Sequence, residues 1–186
     1  MIIYTDGACS GNGSAAAVGG FGVVILDDDK NPIGFYNKQN QNTTNNREEL
    51  RAILWALIKY GREETPPIVY SDSAYAVNTF NTWMFGWAAK GWVKSDNKTP
   101  ENLDLIEAYY KLWQSGGYRI DLRKCRGHAG NKWNEMADKL AVAAKEGKGV
   151  GGLAAQIVME KVTIPVMKFN QPNKNNTIVN EGTFNV

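Results

Sequence analysis

The sequence predicts an α/β fold in which a mixed sheet carries helices on its faces. Three strand-like segments precede any helical period, helical and strand-like segments then alternate, and four acids, Asp6, Glu49, Asp72 and Asp138, stand in separate local contexts. Asp6 and Asp72 end short apolar runs, Glu49 opens a helical period and Asp138 lies in a late one. Strand ends and helix starts meet along one edge of such a sheet, where α/β folds place their chemistry.

Ile2 to Thr5 is a short apolar run that stops at Asp6-Gly7, and the stretch from Cys9 to Gly20, rich in Gly, Ser and Ala, reads as a loop. Phe21 to Leu26 reads as a strand that turns at Asp27 to Pro32, and Ile33 to about Lys38 completes an antiparallel meander. The polar stretch Gln39 to Asn46 leads into a helix with Leu50, Ile53, Leu54, Leu57 and Ile58 on one face, ended by Gly61 and Pro66-Pro67. Ile68-Val69-Tyr70 has the length and apolarity of a buried strand, and Ala74 to Thr82 is helical after it. Trp83 to Trp92 is an aromatic run with lysines close behind.

Pro100 and Asn102 open a helix with Leu103, Ile106, Tyr110 and Trp113 on one face. Tyr118 to Lys124 is a strand, and Asn131 to about Lys145 is a helix striped by Trp133, Met136, Ala137, Leu140, Ala141 and Ala144. Four glycines between Gly147 and Gly152 mark a linker. Residues 153–186 are Asn-rich and lack a sustained period apart from a strand-like Lys161 to Phe169, so they form a tail that docks weakly or stays disordered.

A chain of 186 residues, 43% hydrophobic, supports one well-buried domain plus this tail. The formal charge of +2 selects no partner. Arg119, Arg123, Lys124, Arg126 and Lys132 crowd one stretch and Lys90, Lys94 and Lys98 another, although a solvated face would explain either alone. Cys9 and Cys125 form no framework of paired spacings, no apolar stretch reaches the length of a membrane span, and the N-terminus enters a strand directly. These features lead to the expectation of a reducing, cytoplasmic setting with no membrane association and no signal peptide.

Taken singly, each candidate residue has an ordinary structural reading. Asp6 before Gly7 suits a turn, Asp72 between two serines suits an N-cap, Glu49 has capping-box spacing from Asn46, and His128, the single histidine, sits in a loop. Taken jointly, acids gathered at one edge repel one another unless a cation neutralises them. Hard oxygen ligands without a Cys or His cluster favour Mg²⁺ or Mn²⁺ over zinc. At about 100° per residue, Glu49 borders the apolar stripe of its helix and Glu48 falls nearly opposite, toward solvent. The same arithmetic puts Asp138 on the polar side of its helix.

In Thr5-Asp6-Gly7, Thr43 to Leu50, Ser71-Asp72-Ser73, Trp83 to Trp92, Gly127-His128-Ala129-Gly130 and Asn134 to Asp138, in that order, the chain resembles ribonuclease H of type 1. That family cuts the RNA strand of RNA/DNA hybrids, and the match covers residues 1 to about 146. The resemblance implies an RNase H-like α/β fold, a mixed five-stranded sheet with three antiparallel strands followed by parallel ones, flanked by helices. Residues 1–146 would be the catalytic domain and 147–186 the linker and tail.

By the same resemblance, Asp6, Glu49, Asp72 and Asp138 are ligands for two Mg²⁺ ions, with Mn²⁺ as a substitute. One ion would activate the attacking water and the other stabilise the leaving 3′ oxygen, giving 5′-phosphate and 3′-hydroxyl ends without base specificity. His128 stands where the family has a mobile histidine that moves a proton or assists product release. Cys9, Asn12, Asn45 and Asn46 would line the minor groove, with Thr44 near a DNA phosphate. Trp83 and Trp87 would pack in a substrate handle whose Lys90, Lys94 and Lys98 face the duplex, the whole acting as a monomer.

The chain departs from the family at Gly11-Asn12-Gly13-Ser14, at Ala74, where many relatives carry a polar residue, and at Ala88-Ala89, where lysines are common. Weaker hybrid binding with a shallower salt dependence is the expectation. Nothing in the family pattern accounts for residues 150–186. Two other readings compete: a catalytically silent hybrid-binding module and a retroelement-type domain released from a polymerase. Retention of all four acids and His128 favours the nuclease, because a mere binder gains nothing from clustered negative charge beside phosphates.

Overall fold

The computed structural model describes residues 1–127 and 129–150; His128 and the segment 151–186, with its expected strand, lie outside the described residues. Five strands form one sheet in the order β3-β2-β1-β4-β5: β1 (Ile2–Ser10), β2 (Val18–Leu26), β3 (Pro32–Gln41), β4 (Ile68–Ser71) and β5 (Asp121–Lys124). β1, β2 and β3 pair antiparallel, while β4 joins β1, and β5 joins β4, in parallel. The mixed sheet expected from the sequence is therefore present.

Helices cover both faces. On one lie α1 (Asn45–Tyr60), α2 (Ala74–Asn78), a π-helical turn (Thr79–Trp83), α3 (Met84–Ala89) and α4 (Leu103–Gln114), enclosing a core that includes Ile3, Phe21, Leu50, Leu54, Val69, Phe80 and Ile106. On the other, α5 (Lys132–Lys145) packs Met136, Ala137, Leu140 and Ala143 against Val24, Leu26 and Phe35. The apolar stripe read for α1 is buried from Leu50 to Leu57. In α4 the buried set is Leu105, Ile106, Tyr109 and Leu112, whereas Tyr110 and Trp113 are half-buried and form a second aromatic cluster with Phe85 and Trp92.

Three sequence expectations are corrected. β1 does not stop at Asp6: it runs on to Ser10, paired to β2 from Val18, so the expected loop contracts to residues 11–17. Gly11 and Gly13 keep the left-handed backbone of a loop (φ 67° and 82°), whereas the glycines of β2 serve close packing. A Cβ on Gly22 would lie 2.3 Å from the Ala137 carbonyl oxygen, and one on Gly20 would lie 2.5 Å from the Ala144 Cβ, so α5 rests directly on the β2 backbone. Second, the strand expected from Tyr118 narrows to Asp121–Lys124, with Tyr118 buried in the core ahead of it.

The third correction is Glu48, which is fully buried rather than solvent-facing. Its carboxylate accepts from Thr43 Oγ1 (2.5 Å) and Asn40 Nδ2 (2.9 Å) and pairs with Arg51. A helical wheel treats the far side of a helix as water; here β1 and β2 occupy it, and the missing side chains of Gly7 and Gly19 leave room for Glu48. Removing one partner of such a pair strands a charge in the interior. Arg51→Ala is expected to cost about 3–5 kcal/mol in urea unfolding, and a cost below about 1 kcal/mol would show the pair to be energetically idle.

Candidate active site

Parallel pairing of β1 with β4 ends at Thr5 opposite Ser71, so Asp6 and Asp72 are the first residues past it. Two positions earlier, Tyr4 and Tyr70 stack with ring centres 5.0 Å apart. Strand alternation then carries the two carboxylates to the same side. Glu49 arrives from just past the first turn of α1, whose start is fixed by Thr44, the Oγ1 of which accepts from the Arg47 N–H at 3.2 Å. Gly7 makes this approach possible, because a Cβ there would lie 2.5 Å from the Glu49 nitrogen.

Carboxylate oxygens of Asp6, Glu49 and Asp72 lie within 4.8 Å of one another. Asp6 and Glu49 are buried and Asp72 is half-buried. The start of α1 and the end of β4 thus meet beside Asp6, which lies within β1 rather than at the strand end expected from the sequence. Asp138 is half-buried on α5 and falls outside this 4.8 Å group, yet its charge is near enough to raise the pKa of Asp6. Asp6 pairs across the sheet with Gly22, where α5 touches the β2 backbone at Ala137, and this contact is what brings the next residue, Asp138, toward the centre.

Burial, followed by the charge of Asp72, pushes the Asp6 carboxyl up to about 7. Burial, followed by the charge of Asp6, lifts Glu49 well above the ordinary carboxylate range. Glu49 Oε2 is buried with no hydrogen-bond partner, which is costly unless something else satisfies it. An all-oxygen group of mutually repelling carboxylates with an orphaned lone-pair oxygen fits a hard divalent cation held by Asp6, Glu49 and Asp72.

One residue of the site was given no role from the sequence. Asn134, buried on the first turn of α5, donates from Nδ2 to Asp72 Oδ2 at 3.1 Å. Its Oδ1 accepts from Cys125 Sγ at 3.3 Å, and burial and the Asp72 charge raise that thiol to about 11, which keeps it protonated as the donor. The amide is thereby oriented with its N–H toward Asp72. A polar residue on the buried side of a helix, next to Trp133 and Met136, was the available signal. His128, expected nearby, lies outside the described residues.

A family model described as RNase H matches residues 1–146. The chain belongs to the RNase H family. Among curated members, a ribonuclease H of Verminephrobacter eiseniae (strain EF01-2) is 38% identical over 154 residues, covering 82% of this chain and 96% of that one. A ribonuclease H of Thermoanaerobacter sp. (strain X514) is 39% identical over 142 residues, covering 75% and 85% respectively. The family's members are hydrolases that act on RNA.

Among solved structures, LC9-RNase H1, described as a type 1 RNase H with the type 2 active-site motif, superposes with a TM-score of 0.67 at 28% identity, over 89% of this chain and 85% of its own. LC11-RNase H1, solved in complex with an RNA/DNA hybrid, shares the fold at a TM-score of 0.56 and 24% identity, over 78% and 96%.

In this RNase H framework the expected substrate residues fall into two surfaces. Asn12 Oδ1 accepts from the Asn45 N–H at 2.9 Å, tying the β1–β2 turn to the start of α1, and half-buried Cys9 points its thiol at the Thr43 carbonyl at 3.6 Å. Thr44 is half-buried as the cap, while Asn45 and Asn46 are exposed. At the handle, Trp83 is 41% exposed, the large apolar side chain most open to solvent among the described residues. Trp87 is half-buried, its ring 6.0 Å from that of Trp83. Lys90 and Lys98 are exposed, and Lys94 reaches Glu101 at 3.6 Å and Asp96 at 4.0 Å. Cys9 and Cys125 are both free, and no helix among the described residues is long and apolar enough to cross a membrane.

Proposed function

We propose that this chain is an endonuclease that hydrolyses the RNA strand of RNA/DNA hybrids, using residues 1–146 as a monomeric cytoplasmic catalytic unit. The observation that carries this reading is the cluster of Asp6, Glu49 and Asp72, with its orphaned Glu49 oxygen, in a chain of the RNase H family. Asp6, Glu49, Asp72 and Asp138 hold two divalent ions, Mg²⁺ or Mn²⁺. When bound, the ions supply activation of water for in-line attack at phosphorus and neutralisation of the leaving 3′ oxygen, giving 5′-phosphate and 3′-hydroxyl products.

The protein's own part is positioning. Asn134 fixes the Asp72 carboxylate, and the Gly7 N–H, donating to Asp6 Oδ1 at 2.8 Å, orients the Asp6 carboxylate. His128, by the family resemblance, carries a proton or assists product release. Cys9, Asn12, Asn45 and Asn46 meet the minor groove, where 2′-hydroxyls distinguish the RNA strand, and Thr44 meets a DNA phosphate. Trp83 and Trp87 form the apolar base of the handle, and Lys90, Lys94 and Lys98 meet phosphates. Such contacts carry no base code, so cleavage is sequence-nonspecific.

The test of substrate class is a comparison of four end-labelled substrates in Mg²⁺: RNA/DNA hybrid, duplex RNA, duplex DNA and single-stranded RNA. Cutting confined to the RNA strand of the hybrid is the expected result; binding of the hybrid without cutting in either Mg²⁺ or Mn²⁺ would favour a silent binding module.

The handle makes a separate prediction. Ala89 is exposed and Ala88 half-buried where further lysines would meet phosphates. Ala88→Lys with Ala89→Lys should tighten hybrid binding and steepen the dependence of log affinity on log salt by roughly 0.7–0.9 per lysine that reaches a phosphate. Equal slopes for the two proteins would contradict it.

A further inference from the structure

The buried Glu48–Arg51 pair sits one residue from Glu49, and its bonds leave its own helix. β3 ends at Gln41, Asn42 takes the left-handed backbone conformation (φ 49°), and the chain then reverses into Thr43 and the start of α1. Glu48 spans that reversal: it accepts from Asn40 Nδ2 before it and from Thr43 Oγ1 after it. Arg51 Nη1 donates to the same Thr43 oxygen at 2.8 Å and pairs with the same carboxylate. The far side is closed by β1 and β2, since a Cβ on Gly19 would lie 2.6 Å from Thr43 Cγ2 and 2.9 Å from Glu48 Cγ.

A pair of this kind is a poor device for stability alone, because well-packed apolar residues of similar volume serve as well or better. What the ionic version adds is direction. Four hydrogen-bonding groups on three segments are held in one geometry, and the residues leaving that geometry are Thr44, Asn45 and Asn46. Thr43 is also the residue whose carbonyl faces the Cys9 thiol, and Asn45 is bonded to Asn12. Cys9 is thus two hydrogen bonds from Glu48 through Thr43, Asn45 and Asn46 follow Thr43 and the cap Thr44 in the chain, and Asn12 is tied to Asn45.

We propose that Glu48 and Arg51 are positioning residues that clamp the 40–46 turn, presetting the minor-groove contacts to the hybrid without entering the metal centre. This rests on the function proposed above. Preorganisation of a binding segment lowers the cost of association, so its loss appears in substrate binding rather than in the chemical step.

The decisive variant is the double substitution Glu48→Met, Arg51→Met, which keeps volume and leaves no stranded charge. With labelled hybrid in Mg²⁺, its KM should rise about tenfold while kcat stays within about threefold of the parent. Mn²⁺ affinity without substrate should be unchanged. A folded double variant with an unaltered KM overturns the proposal, as does a fall in kcat or in Mn²⁺ affinity at constant KM. If the double variant does not fold, Thr43→Val, which removes only the bridging hydroxyl, carries the same test with the same two outcomes. Should the parent fail to cut hybrid, the functional reading falls separately. The clamp is then judged by hybrid affinity in EDTA, where tenfold weakening in the double variant supports it and equal affinity, or no binding by the parent, overturns it.

Discussion

Replacing Asp6 with asparagine should abolish hybrid cleavage and at the same time make the metal-free protein more stable at mildly alkaline pH. Asp6 offers a carboxylate oxygen within 4.8 Å of those of Glu49 and Asp72 and lies within reach of the Asp138 charge. An amide keeps the shape and can still accept from the Gly7 N–H, but it contributes no negative charge to a cation. We expect kcat/KM to fall by at least about three orders of magnitude, roughly 4 kcal/mol of transition-state stabilisation. Unfolding in EDTA near pH 8 should show a gain on the order of 2 kcal/mol, because one of the mutually repelling buried charges is gone. Loss of activity with loss of stability would instead mark Asp6 as a structural residue.

The second large effect is a stability that falls with pH in the absence of metal. Asp6 and Glu49 bind protons more tightly in the folded protein than in the unfolded chain, since burial and mutual repulsion penalise their ionised forms. The stabilisation carried by their protonation is complete below about pH 4, the range of an unfolded carboxyl, and is lost as pH rises through about 7, the folded value for Asp6. Asp104, held low by the Arg47 guanidinium, and Asp27, held low by the Asn31 N–H, remain ionised above pH 5 and do not oppose the trend. Thermal melts in EDTA should therefore show Tm decreasing from about pH 5 to about pH 8, with Asp6 alone worth roughly 2–3 kcal/mol over that interval. Millimolar Mg²⁺ should restore most of the loss at the alkaline end, because a ligand that binds only the folded, ionised site stabilises by mass action. A Tm in EDTA that stays level or rises over that interval would contradict the described electrostatics of the cluster.

Much of this was legible before the structure, and the exceptions share a cause. The mixed sheet follows from the early meander and the later alternation, and the stripe of α1 is buried as its period requires. Period alone fails where small residues let a neighbour come close. Cys9 to Gly20 reads as a loop because its glycines look like freedom, yet Gly19 and Gly20 are places where side chains or α5 occupy the missing Cβ. Glu48 is misplaced for the same reason: a wheel drawn for an isolated helix cannot register strands pressed against its polar side.

Asp138 illustrates the opposite limit, since its helical position carries no signal and its place near Asp6 depends on the contact of Gly22 with Ala137. The site also held a readable repeat. Tyr4-Thr5-Asp6 and Tyr70-Ser71-Asp72 have the same spacing, and the parallel pairing aligns them residue for residue up to the acids.

The most direct measurement is cleavage of a hybrid whose RNA strand is end-labelled, followed in Mg²⁺, in excess EDTA and after Mg²⁺ is restored, for the parent and for Asp72→Asn. The expected result is cutting by the parent only when Mg²⁺ is free, full recovery on readdition and none by the variant. Cutting that survives EDTA, or that survives in Asp72→Asn at a rate comparable to the parent, would contradict a metal centre built on Asp6, Glu49 and Asp72.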